Sequence, residues 1–524
     1  MWGRFFAVGL LVTPSVACRS EEFRCETNAQ CPDDGRCEPS GYCSVPADDC
    51  PSGRRYAGLS GSLSGECVPP DDGTGSAEGS TTAAESSAGS GTSPPTSTAG
   101  ESSTTLPPET SSTSSTSGAD PLVFIDDDAE DFGAGVPSAT EYDDGLRLQP
   151  DANAGAFVSR VFDAQTPVDW TALEWTPRAP YSKPLPDDGA DESGYDQGNI
   201  SMADNVLLLH FDIGVGVVPG DAIEDTSGRD HPASVLGMGS VAAADPAIFT
   251  EGIALTPANS VEVDVSNTTD FQFGESDFTW SMWARGGGPC YSKSGSASPN
   301  QVYMGIEEGP GSGGAHMWLG CYNPAAGVCG ATGGDGRVGS TMTAQIGDGL
   351  GSICGGPELI DDQWHHLALV KSGHDNATLT LWFDGQLVET TTVDYALPIL
   401  FSADRPLQLG RLSEGYNATV ELDEVAVFRR ALSPPEIADL HLRGALQLAF
   451  QVRACDTPDC DGVPFVGPES EEAAVFRDGP SGPSHSTPPL HGRYFQYSVR
   501  FARQSVGLSR EPVIDEVRVT ADLE

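Results

Sequence analysis

The chain is predicted to be all-β: an antiparallel β-sandwich inserted into a second, discontinuous β-sandwich, preceded by a disulfide-rich stub and a disordered linker. Three observations predict this. The runs Trp364 to Lys371, Leu381 to Val388 and Glu421 to Phe428 carry apolar residues at every second position, the period that sends alternate side chains to one face of a strand. Asp384-Gly385 interrupts two such runs and is a strong hairpin turn, because glycine accepts positive φ at little cost. Finally, residues 121–203 and 444–524 alternate in the same way but each holds too few strands for a closed core, and they flank one complete set of strands.

Bulk composition bounds the rest. A chain of 524 residues with 38% hydrophobic residues has material for two or three domains, with part of it unfolded. Acidic residues outnumber basic ones 76 to 27, for a formal charge of -49. Such a surface repels nucleic acid and anionic lipid and favours divalent cations. The three lysines, Lys183, Lys293 and Lys371, form no basic patch, so nucleic acid is excluded as a partner.

Residues 1–17 read as an export signal, with Arg4 as the positive start, Phe5 to Val12 as the apolar stretch and Ser15-Val16-Ala17 before a cut. The stretch falls short of the about eighteen apolar residues a membrane span requires. Cys18 follows at once and resembles the acylated cysteine of a bacterial lipobox, with Ser15 where that motif usually has Leu. Thirteen cysteines leave one unpaired, and acylation of Cys18 leaves an even twelve. Lipid anchoring and plain secretion both stand. By resemblance to Gram-negative lipoproteins, Arg19 after the cysteine implies the outer membrane.

Residues 18–68 carry Cys25, Cys31, Cys37, Cys43, Cys50 and Cys67, the first four at six-residue steps. So short a segment buries little apolar surface, and crosslinks that restrict its unfolded state stabilise it instead. Zinc would require CxxC or Cys-His spacing, and the segment has no histidine. Residues 69–120 consist mainly of Ser, Thr, Gly, Ala, Pro and Glu. They lack the apolar surface to offset ordering entropy and are expected to form a tether spanning on the order of 40 Å.

In residues 121–203 the runs Leu146 to Leu148, Phe157 to Phe162 and Leu173 to Trp175 read as strands, as do Leu446 to Arg453, Tyr494 to Phe501 and Val513 to Val519 beyond residue 444. The two flanks are expected to pair with each other, Phe157 to Asp163 beside Phe495 to Phe501. Insertion of residues 204–443 between them is cheap when the guest's ends lie close together.

The guest's own strings, Val206-Leu207-Leu208-Leu209-His210-Phe211-Asp212, Asp225-Thr226-Ser227-Gly228, Phe278-Thr279-Trp280-Ser281-Met282-Trp283, Asp362-Gln363-Trp364-His365-His366 and Glu421-Leu422-Asp423-Glu424-Val425, resemble in order and spacing the laminin-G-like domains of the concanavalin-A-like lectin and glucanase superfamily. The resemblance implies a two-sheet jelly roll and a binding role. Gly286 to Gly356 departs from the family by its length and glycine content and holds Cys290, Cys321, Cys329 and Cys354. Two disulfides and strands at Gln301 to Gly305 and Ala315 to Leu319 are expected there. Cys455 and Cys460 are expected to close a small loop in the host.

The family also contains laminarinase-type hydrolases with carboxylates at Glu-x-Asp-x-Glu or Glu-x-Asp-x-x-Glu on one strand. This chain offers Glu421, Asp423 and Glu424, with Val425 and Ala426 where the acid/base would stand. Strand alternation predicts Glu421 and Asp423 on one face and Glu424 on the other, an incomplete pair for a mechanism that needs two carboxyl groups about 5 to 9 Å apart. The chain is therefore read as a non-enzyme. His365 and His366 are adjacent on a strand and point apart, and HExxH, GxSxG and GxxxxGK are absent.

By the same resemblance, calcium is the implied cofactor, with Asp225 and Asp423 as ligands and Asp212 as a further one, since hard cations gather carboxylate and carbonyl oxygens. Asp126 to Asp131 lacks the glycine-turned EF-hand register and reads as a solvated run. Carbohydrate is the implied ligand, stacked on Trp382, Trp318 or Tyr416. The competing reading is a structural or protein-adhesion role at the cell envelope, with a cell-surface protein as partner. In either case the membrane is reached through the lipid anchor alone.

Overall fold

The computed structural model describes residues 31, 35–38, 42–47, 50, 52–56, 67–68 and 120–523, except positions 213–216, 239–240, 245, 265–269, 272, 274–275, 289, 291–299, 309–315, 323–336, 344–348, 375, 394–400, 402–404, 413–415 and 479–481; of residues 300, 337–343, 349–352 and 393 it describes the backbone. The export signal, Cys18, Cys25, Cys329 and nearly all of the 69–120 linker lie outside the described residues.

The chain divides into two compact units, Met1–Ser111 and Ser112–Glu524. In the first, the strands Arg36–Cys37, Cys43–Pro46 and Arg54–Tyr56 form a three-stranded antiparallel sheet. Disulfides Cys31–Cys43 and Cys50–Cys67 tie it, and Cys37 is disulfide-bonded as well. Among its described residues the buried aromatics are Tyr42 and Tyr56, too little for a core without crosslinks.

In the second unit the guest is built from two eight-stranded sheets facing one another. The first runs in the order 242–244, 252–255, 420–428, 278–286, 364–372, 377–383 and 386–393, with Asn205–Leu209 also on Val420–Phe428. Alternation decides what lies between the sheets. Trp280, Met282, Leu367, Leu369, Leu379, Leu381, Leu422 and Val425 point inward from this sheet and meet Val235, Val261, Met304, Ile306, Leu319, Leu407 and Leu409 from the other, all fully buried in one cluster. Burial of each large apolar side chain is worth about 1.5 to 3 kcal/mol. Asp384 and Gly385 turn the hairpin between Ala377–Phe383 and Gln386–Val393 with φ of 49° and 70°.

The glycine-rich insert joins the second sheet. Besides Asn300–Glu307 and His316–Tyr322, near the expected positions, it contributes Arg337–Thr343 and Gly349–Glu358, which the alternation rule does not reveal because glycine replaces their apolar residues. Cys290 is bonded to Cys321, and Cys354 is also disulfide-bonded.

The two flanks of the guest share one nine-stranded sheet. The twenty-residue strand Ser484–Arg503 lies between Leu446–Cys455 on one side and Ala154–Val158 on the other, so that Val499 faces both Phe450 and Phe157. Farther along, Phe495 pairs with Phe162 and Tyr494 with Asp163. Val513–Asp522 in turn joins Phe162–Pro177 to Leu122–Asp126. The core takes residues from both flanks, with Trp170 on Phe495 at 4.7 Å and Trp175 on Phe450 at 4.3 Å between ring centroids. The disulfide Cys455–Cys460 closes a short loop at the end of Leu446–Cys455.

One local expectation is corrected. The acidic run is not uniformly solvated: Asp126 is fully buried, accepting from Arg160 Nε and Tyr497 Oη at 2.8 Å each, while Asp128 caps the short helix Ala129–Gly133. Beyond the strand Val420–Phe428 the guest closes on the helix Pro434–Ala445, started by a capping box between Ser433 and Glu436 with proline at its first positions.

That helix is packed closely. A Cβ on Gly444 would lie 2.5 Å from Ile248 and 2.6 Å from Trp283. Gly444→Val should therefore destabilise the head by about 1 to 3 kcal/mol through overpacking, read as a lower urea midpoint; an unchanged midpoint would show that the helix shifts freely.

Candidate functional site

The strand Val420–Phe428 carries the three carboxylates and a bulge that decides where they point. Its register against Phe278–Gly286 passes from Ser281↔Ala426 to Trp283↔Asp423, and Glu424 has φ of 51°. One extra residue is thus inserted. Leu422 and Val425 both enter the inner core, leaving Asp423 and Glu424 together on the outward side. Strict alternation, which separates them, fails here for this reason. Glu421 is partly exposed and paired with Arg285.

Asp423 is fully buried; its Oδ2 accepts from the backbone N–H groups of Ile248 at 3.0 Å and Phe249 at 3.1 Å, and its Oδ1 has no hydrogen-bond partner. Burial first, then the charges of Glu424 and Asp212, hold its pKa well above the usual carboxylate range. Glu424 accepts from the backbone of Leu185 and lies 2.6 Å from His210 Nδ1, whose Nε2 is 3.0 Å from Asp187. Burial opposes charge on His210, but Glu424 and Asp187 outweigh it and lift its pKa to about 10.

The outward face of this sheet is not an open cleft. Leu208, Ala368, Val370, Trp382, Ala426 and Phe428 are covered by Leu185, Ile200 and Met202 of the host segment and by Ile437 and Leu440 of the helix. A charged clamp closes the same seam. Arg443, 2% exposed, pairs with Glu192 and donates to the carbonyls of Lys183 and Pro184. Lys183 lies 3.1 Å from Glu192 and donates to Tyr195, which donates to Asp478 at 2.6 Å. Burial pushes the Asp478 carboxyl up to about 6.

The nominated aromatic residues occupy two places. Trp382 is 7% exposed within the seam, its indole donating to Thr380 Oγ1 at 2.9 Å. Trp318, 4% exposed, stacks on Tyr322 on the outer side of the second sheet, with Tyr416 packed against that cluster. Trp318 and Tyr416 are therefore brought together and Trp382 is not. Of the nominated calcium ligands, Asp225 is saturated: Oδ1 accepts from the N–H groups of Leu208 and Ser227, and Oδ2 from Ser227 Oγ and the N–H of His231. Asp212 is exposed and accepts from Thr250 Oγ1. Among the described residues, Asp212, Asp225 and Asp423 do not form a group at metal-ligand spacing.

His365 and His366 do point apart. His365 lies against Phe383 and between Asp384 Oδ2 at 2.9 Å and Asp361 Oδ1 at 3.1 Å; His366 lies against Trp283, its Nε2 2.9 Å from Ser281 Oγ. Beside them the seam opens into a cleft of about 560 Å³. The Asp384-Gly385 turn and His441 of the helix form its floor, where a Cβ on Gly385 would sit 3.1 Å from the imidazole. The host turn Gln504–Ser509 forms one wall, with Gln504 Oε1 3.0 Å from His441 Nε2. Sequence reasoning missed His441 and the 504–509 turn, which carry no motif and meet the hairpin only in the folded head.

Residues 258–438 match the model of the laminin-G-like family of the concanavalin A-like lectin/glucanases superfamily. No curated protein sequence matches the chain. Among solved structures, similarity is found to domain 4 of AbnA, a GH43 extracellular arabinanase from Geobacillus stearothermophilus, in complex with arabinotriose, at 16% identity and TM-score 0.32 over 46% of this chain and 98% of that one. The binding domain of botulinum neurotoxin DC in complex with SialylT gives 13% identity and TM-score 0.33 over 53% and 64%. The binding domain of Paraclostridial Mosquitocidal Protein 1 gives 19% and 0.32 over 45% and 52%.

Burial, with His441 nearby, holds the pKa of His366 well below 6.5. The folded state keeps this ring neutral while the unfolded chain protonates it, so stability is lost as pH falls through 6.5 toward the folded value, with a limiting slope of about 1.4 kcal/mol per pH unit. Thermal melts between pH 7.5 and 5 should show a steeper decline for the wild type than for His366→Gln; parallel curves would mean the ring is solvated.

Proposed function

We propose that this is an exported, surface-held protein whose laminin-G-like head binds carbohydrate and does not hydrolyse it. The observation that carries the reading is the sealed sheet face. A glycosidase needs an open cleft with two carboxyl groups across the scissile bond. Here the bulge places Ala426 where the second carboxyl would follow Asp423, and that alanine is buried under the host segment and the helix. Glu421, on the same strand, is paired with Arg285.

Export is supported by the disulfides, which persist in oxidising compartments, and by the signal-like residues 1–17 before Cys18. No helix among the described residues is long and apolar enough to cross a membrane. Acylated Cys18 is the anchor, the crosslinked module follows it, and residues 69–120 give the head its reach.

Calcium enters this reading through the pair Asp423 and Asp212 rather than the nominated trio, which does not gather at ligand spacing, with backbone or water oxygens completing the shell. The buried Oδ1 of Asp423 has no donor, and the neighbouring charges of Asp212 and Glu424 act against its ionisation; a divalent cation relieves both, supplying positive charge and an oxygen-coordinating centre. Asp225, with its acceptor positions filled, serves the turn instead.

Three measurements test the proposal. The purified full-length chain should release no reducing sugar from β-glucans, and Glu421→Gln should leave that unchanged; turnover abolished by this substitution would overturn the non-hydrolytic reading. Binding to at least one arrayed glycan is expected, and capture of protein partners alone would favour the adhesion reading. Millimolar calcium should raise the melting temperature by a few degrees, reversibly with EDTA, and Asp423→Asn should erase the rise. A wild-type melting temperature indifferent to both removes calcium.

A further inference from the structure

We infer that the ligand site is the cleft between guest and host, and that it takes a short neutral oligosaccharide; this rests on the carbohydrate-binding reading above. The cleft exists only because the two bodies are docked, since the guest supplies Gln363, Asp384 and Gln386, and the host Gln504, Ser505 and Ser509. Pockets form preferentially at such junctions, and about 560 Å³ falls within the usual range of ligand sites. The carbohydrate-facing regions nominated by family resemblance are closed by comparison, with Trp382 and Trp318 buried.

The lining selects the chemistry. Among the described residues no arginine or lysine lines the cleft; its imidazoles are His441, whose pKa burial holds down, and His365, which is already paired with Asp384 and Asp361, so a phosphate, sulfate or uronate would meet no free counter-charge, and the overall charge of -49 repels it further. The exposed amides of Gln363 and Gln386 each offer a donor and an acceptor, which matches hydroxyl groups that both give and receive hydrogen bonds. Asp384 adds an acceptor already fixed by the His366 N–H at 2.9 Å and by His365, so it is ordered before the ligand arrives. Val506 and Leu508 on the host turn offer apolar contact for the carbon-bearing face of a sugar ring.

The full-length chain should be applied to an array of neutral oligosaccharides (glucans, xylans, galactans and arabinans) beside uronate and sulfated ones, and the strongest binders titrated by calorimetry. Neutral binders are expected, with affinity at least tenfold weaker in the Gln363→Ala/Gln386→Ala double variant and lost in Ser505→Trp, while Met238→Ala, outside the cleft, binds as the wild type. Matching melting temperatures keep the comparison valid, because all four positions are exposed. Neutral binding untouched by the cleft variants would overturn the site and leave the carbohydrate reading standing. Binding of acidic glycans alone would overturn the neutral class. No glycan bound at all would overturn this inference together with the reading beneath it.

Discussion

The ion pair between Arg443 and Glu192 holds the head's two bodies in one arrangement. A buried guanidinium left without its carboxylate would be costly, so the helix Pro434–Ala445 and the host segment near Glu192 must stay together. Their contact also fixes everything that lies on either side of it. On one side it presses Leu185, Ile200 and Met202 onto the guest sheet; on the other it sets the distance between the hairpin turn at Asp384 and the host turn at Gln504. The closed face and the open cleft are two outcomes of one docking geometry.

The backbone extends this logic. Had the strand Val420–Phe428 kept strict alternation, Glu424 would have entered the apolar interior between the sheets. The bulge avoids that, and it frees Glu424 to hold the Leu185 backbone and His210. A residue type associated in this superfamily with hydrolysis is used here to fasten a neighbouring segment. Its ionic partner His210 is kept charged by the same contact.

The sequence made the large divisions legible because they rest on periodicity. Strands such as Phe278–Gly286 and Trp364–Ser372 have a core-facing residue at each second position, and the pairing of Phe157 with Val499 follows from two flanks that each lack half a core. What stayed hidden depends on departures from period or on distant contact. Arg337–Thr343 and Gly349–Glu358 have glycines where a strand signal needs side chains. The bulge at Glu424 is a single dihedral, invisible in residue type. Trp382 reads equally well as a sugar platform or as packing, and only the arrival of Leu440 and Met202 decides. His441 and Gln504 lie 63 residues apart in the chain and become neighbours through docking.

Ala154–Val158 pairs with Val136–Ser138 on one edge and with Ser484–Arg503 on the other, so the first flank is synthesised with one edge unsatisfied and must wait for more than three hundred residues to follow. The guest, whose strands pair among themselves, can close during that interval; the host cannot. Long-range pairing of this kind slows folding and leaves strand edges open to wrong partners. The acidic charge of the chain then has a second use, keeping waiting copies apart until the last strand, Val513–Asp522, arrives to complete the sheet.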